Sequence, residues 1–82
     1  MSTILIIATK EVREALQRRE VLPLARILEI AQKETPGDVI KVELEREDGV
    51  LVYEIKILTA KGRVRELLLD ARSGKLLAIE DD

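Results

Sequence analysis

Eighty-two residues confine the chain to one domain with one modest core. Fourteen basic and sixteen acidic residues leave a formal charge of −2, which offers no field for nucleic acid or an anionic membrane. The absence of cysteine and histidine removes disulfides, thiolate chemistry, imidazole–metal sites and the usual nucleophile–base pairs.

Residues 3–8 are an apolar, β-branched run, far short of the ~20 residues that span a bilayer. Met1 and Ser2 supply none of the charge that opens a complete secretory signal. The run reads as an edge strand, as the remnant of an export signal, or as a disordered leader, and residues 9–82 form the domain proper. Thr9 is the N-cap of a first helix reaching about residue 20. Glu11 sits in its first turn, where the helix dipole favours a carboxylate, and Val12, Ala15 and Leu16 form a thin apolar stripe. The adjacent Arg18 and Arg19 read as solvated helix surface rather than a processing or anion site.

Pro23 suits the first position of a second helix, running to about residue 34, in which Leu24, Ile27, Leu28 and Ala31 line one face and Ile30 widens it. Pro36 and Gly37 end it and turn the chain into a sheet. The first sheet strand, 39–47, alternates Ile40, Val42 and Leu44 with Lys41, Glu43 and Glu45. Asp48-Gly49 signals a hairpin with positive φ at its tip. Strand 50–58 sends Leu51, Tyr53, Ile55 and Ile57 inward. Residues 59–62 turn into strand 63–70, whose Leu67 and Leu69 face the helices. Asp70 then accepts backbone N–H bonds across a turn closed by a left-handed Gly74, and residues 76–79 make a short last strand before a fraying acidic tail. The fold class is α+β: two layers, two N-terminal helices on one face of a four-stranded antiparallel meander, with an extra edge strand if residues 3–8 pair.

Chemistry-bearing residues are plentiful, yet no constellation emerges. Glu43, Glu45, Glu47, Asp48 and Glu54 suggest an acid–base pair or a calcium site, but without an Asp-x-Asp-x-Asp-Gly loop they read as a solvated strand face. The four glycines stand singly in turns and build no phosphate cradle, and Ser2 and Ser73 have no histidine to activate them. No cofactor, metal or catalytic residue is assigned, and no enzyme activity is expected. The anomaly lies on the outward parity of the sheet, where apolar Val52, Leu58, Val64 and Leu68 accompany Lys41, Glu54, Lys56 and Arg65. These eight residues are the candidate partner-binding face, because apolar side chains on an uncovered sheet invite a partner.

From Leu22 onward the chain resembles a PepSY domain. The resemblance rests on Leu22-Pro23-Leu24 with Ile27-Leu28, Pro36-Gly37, Val42-Glu43-Leu44-Glu45 with Asp48-Gly49, and Val52-Tyr53-Glu54-Ile55. It ends in Leu69-Asp70-Ala71 and Ser73-Gly74-Lys75-Leu76. It implies a two-layer α/β fold and a non-enzymatic module that inhibits or regulates a peptidase or another protein of the bacterial envelope, hence an exported location. The competing expectation is a self-associating structural domain, a homodimer without an inhibitory target. Either way the partner is protein, with no nucleic acid and no stable membrane insertion.

Overall fold

The computed structural model describes residues 5–8 and 10–82. The Thr9 cap lies outside the described residues, as do residues 1–4 and the side chains of Glu11, Val12 and Leu16. The elements are β1 (Leu5–Ala8), α1 (Lys10–Gln17), α2 (Leu24–Glu34), β2 (Asp38–Glu47), β3 (Val50–Leu58), β4 (Val64–Asp70) and β5 (Leu76–Asp81). The strands form one sheet in chain order, with β1 parallel to β2 and every other pair antiparallel.

Helix α1 ends earlier than its periodicity suggests. Glu20 N–H donates to Ala15 O at 3.0 Å and Arg19 takes φ 57°, the left-handed residue of a Schellman-type stop. In α2, Pro23 is the N-cap rather than the first helical residue: its ψ of 147° is extended, and its carbonyl accepts from Arg26 and Ile27 N–H. Ile27 and Ala31 are fully buried. They join Ala15 in one aliphatic cluster with Val42, Leu44, Ile55, Ile57, Leu67 and Leu69 of the sheet. Thr35 caps the C-terminal end through its N–H to Ala31 O at 2.9 Å.

The loop between the helices is stitched to the sheet. Leu22 N–H donates to Ala71 O at 2.8 Å, Ala71 N–H donates to Leu51 O at 2.9 Å, and the Tyr53 hydroxyl donates to Leu22 O at 3.3 Å. Tyr53 is therefore core, and burial pushes its hydroxyl pKa up. The β4–β5 turn packs against the same region. A Cβ on Gly74, where φ is +78°, would come within 2.6 Å of Ile30 Cδ1 and 3.0 Å of Leu22 Cδ1. The Asp70 carboxylate accepts from Arg72 and Ser73 N–H at 2.8 and 3.0 Å, which closes the turn and holds its pKa below the usual value.

Two sheet expectations are corrected. A bulge between Val39 and Lys41 puts Val39, not Ile40, into the core opposite Ile57, because the extra residue reverses parity at that end of β2. A second irregularity in the β4–β5 pairing leaves Leu77 half exposed between Leu76 and Ala78. The acidic end does not fray: β5 runs through Asp81, Arg65 Nε donates to Asp81 at 3.1 Å, and Asp82 N–H donates to Val64 O at 3.0 Å.

The two turn residues predict opposite effects on stability. Arg19→Gly relieves a side chain held at left-handed φ and should stabilise the fold by about 1 kcal/mol. Gly74→Ala adds a Cβ to a strained φ and an occupied space and should cost about 2 kcal/mol. Calorimetric unfolding of both variants checks the two signs, and equal midpoints would contradict this account of the turns.

Candidate functional site

Strand β3 sits at the centre of the sheet, so its alternation decides which side chains meet on each face. Leu51, Tyr53, Ile55 and Ile57 belong to the core, which sends Val52, Glu54 and Lys56 to the opposite, outer face. Cross-strand pairing arranges that face in rows. One row is Lys41, Lys56, Glu66 and Glu80; the next is Glu43, Glu54, Leu68 and Ala78; a third sets Glu45 beside Val52 and Asp70. Leu58 stands opposite Val64 at the far end.

Seven of the eight candidate residues share this face: Lys41, Glu54, Lys56, Leu58, Val64, Leu68 and, by parity, Val52. The first three, with Val64 and Leu68, are partly buried, and Leu58 is exposed. Two candidates are corrected. Arg65 pairs with Ile57 and Asp81, so it projects from the core parity of β4 rather than the outer face. It borders an open hollow of about 530 Å³ together with Lys61, Arg63 and Asp81. Val52 has the expected parity but is only 3% exposed, which removes it as a contact residue. It is a short side chain on the central strand, set in the pairing between Glu45 and Asp70.

Reading Glu43, Glu45 and Glu54 as a plain solvated strand face sets them aside and leaves out Glu66, yet Glu43, Glu45 and Glu66 converge on Glu54. Glu43 stands directly opposite it, and one carboxylate oxygen each from Glu43, Glu45 and Glu54 lie within 4.8 Å of one another. From β4, Glu66 hydrogen-bonds to Glu54, as Glu45 does from β2. Two carboxyl groups can share a hydrogen bond only if one keeps its proton. The bond to Glu66, partial burial, the bond to Glu45 and the charges of Glu66 and Glu43 together push the Glu54 pKa up to about 8. The two lysines of the face offset only part of this negative charge. Lys41 Nζ is bound to Glu43, which holds its pKa up, and Lys56 Nζ is drawn to Asp82 at 3.2 Å. Glu43, Glu45 and Glu54 are the grouping that comes nearest to a cation-binding set among the described residues. The only sequence signal for it is the register fixed by the Asp48-Gly49 turn, whose φ values of 48° and 81° make a type I′ hairpin.

With the meander and its turns in place, comparison with known proteins becomes decisive. The family described as "Peptidase propeptide and YPEB domain", PepSY, matches residues 21–80. The chain belongs to the PepSY family. A relative from Bacillus subtilis (strain 168), "Uncharacterized protein YkoJ", is 37% identical over 54 residues, which are 66% of this chain and 32% of that protein. A solved structure from Clostridium difficile 630, named "putative lipoprotein", superimposes with a TM-score of 0.71 at 24% identity, over 83% of this chain and 48% of that one. The latter likeness is one of fold. The PepSY chain thus spans about a third of the curated relative and about half of the solved chain. No described helix is long and apolar enough to cross a membrane.

A proton retained by Glu54 has a definite signature in stability. Its folded pKa of about 8 lies above the ordinary value of 4.5, so the stabilisation linked to that proton is complete below about 4.5 and is lost as pH rises through 8. Asp70 acts in the opposite sense, since its depressed pKa contributes stability that is lost only in acid. The thermal midpoint should therefore fall between pH 6 and pH 9, and Glu54→Gln, which cannot ionise, should flatten that fall. An unchanged slope in the variant would contradict the shared proton.

Proposed function

We propose that this PepSY domain is a non-enzymatic binding module that regulates a peptidase or another envelope protein by docking it on the outer sheet face. The observation that carries the reading is the composition of that face. Val64 and Leu68 remain partly exposed and Leu58 exposed, outside the aliphatic cluster, beside charged Lys41, Glu54 and Lys56. Apolar side chains with a polar surround are the composition of a protein contact. Family membership supplies the link to peptidases through its propeptide members, and the helices serve in this reading as the layer that holds the sheet rigid from the core side. An envelope location is part of the same proposal and is supported by the family and by the name of the solved neighbour.

The test is a titration of the purified chain into a thermolysin-like metallopeptidase, following cleavage of a small peptide substrate. Saturable inhibition, with the chain left undigested and weakened about tenfold or more by Leu68→Glu, is the expected result. A rate that stays constant as the intact chain is added would contradict the peptidase branch of the proposal.

A further inference from the structure

We propose that the outer face of the sheet takes a cationic partner: an extended protein segment that presents Lys or Arg side chains to Glu45, Glu54 and Glu66 and an apolar side chain to Leu68. This rests on the binding-module reading and adds the chemistry of the partner.

Charge is segregated across the molecule. On the parity of Glu54, strands β2 to β5 carry Asp38, Glu43, Glu45, Glu47, Glu54, Glu66 and Glu80 against Lys41 and Lys56, an excess of acidic groups. Asp70, of the same parity, is engaged by the N–H groups of its own turn. Both lysines have acidic partners, Glu43 and Asp82, and Lys41 also feels the charges of Glu54 and Glu66, so two bases are shared among a larger number of carboxyl groups. Carboxylate oxygens of Glu43, Glu45 and Glu54, one from each, crowd within 4.8 Å of one another, and an external cation relieves that crowding by supplying opposite charge.

The apolar residues decide which cation fits. Leu68 stands directly opposite Glu54, and Ala78 continues the row, both partly buried. A bare metal ion satisfies carboxylates and leaves Leu68 in water, whereas a peptide side chain with an apolar neighbour satisfies both. Alternate residues of an extended segment recur every ~6.5–7 Å on one side, which is also the separation of Glu43 and Glu45 along β2. Acidic polymers and anionic lipid surfaces are repelled by the same field.

Binding of such a segment is linked to proton release. The groups facing Glu54 are Glu43 and Glu45 from β2, with Lys41 held on Glu43; Lys56 of its own strand, held by Asp82; and Glu66 from β4. A cation placed among them favours the charged form of Glu54, so affinity rises with pH up to about 8.

The experiment is an NMR titration of the whole chain with a short peptide alternating lysine with leucine, at pH 6, 7 and 8. The control is a peptide with glutamate in place of lysine. The expected result is saturable shifts confined to outer-face residues of β2, β3 and β4, tighter binding at pH 8 than at pH 6, and no binding of the control. In Glu45→Gln/Glu54→Gln/Glu66→Gln, isosteric and relieved of repulsion, affinity should fall about tenfold or more. Glu54→Gln alone should lose the pH dependence. Equal affinity in the triple variant, equal binding of the glutamate peptide, or shifts produced by calcium chloride but not by the lysine peptide would each overturn the proposal. The peptidase titration with Leu68→Glu reports on the binding face independently, so failure of the cationic partner is distinguishable from failure of the module reading.

Discussion

The register of β3 is the constraint on which the rest of the structure depends. The strand is bonded along both edges, and Ile55 and Ile57 are fully buried in the aliphatic cluster. A slip of one residue would carry Glu54 and Lys56 into that cluster, and burying unpaired charge costs far more than the sheet can recover. The same alternation that fills the core therefore fixes Glu54 on the other side, opposite Glu43 and between Glu45 and Glu66. The crowding of carboxyl groups follows from where the aliphatic residues had to go.

The stitching of the helical segment reinforces that register. Leu22 bonds Ala71 through its N–H and accepts from Tyr53 through its carbonyl, which ties the loop before α2 to both β3 and the β4–β5 turn. The single aromatic residue thus acts as a strut with a polar tip, the usual way a buried tyrosine satisfies its hydroxyl. Gly74 leaves the space that Ile30 and Leu22 occupy, so the turn, the loop and the helix are mutually dependent.

Much of this is legible in the sequence because it is local or periodic. The alternation in β3, the Asp48-Gly49 turn, the Asp70 turn and the Ile27–Ala31 stripe each follow from residue chemistry at short range. The Leu69-Asp70-Ala71 and Ser73-Gly74-Lys75-Leu76 signature carries the family resemblance that the match over 21–80 establishes. What is not legible is long-range or irregular. The bulge that exchanges Val39 for Ile40 has no glycine to announce it. The burial of Val52 depends on residues seven and eighteen positions away along the chain. Arg65 could have been assigned to the core parity from Leu67 and Leu69 alone. The carboxyl cluster demands the pairing of three strands at once, so Glu45 and Glu66 each look like ordinary solvated glutamates until Glu54 is set between them.

For a PepSY domain whose relatives are longer chains, the outer face is, among the described residues, the part that remains chemically unbalanced. The helix-side surface is resolved into a packed cluster and paired turns, while the outer face retains apolar side chains and excess negative charge. Its behaviour depends on one titration. The most direct measurement is the pH titration of the glutamate side-chain carboxyl carbons by NMR in the free chain. One of them, assigned to Glu54, should titrate near 8. Titration of Glu54 near the ordinary value of 4.5 would contradict the proton-sharing cluster and the register that creates it.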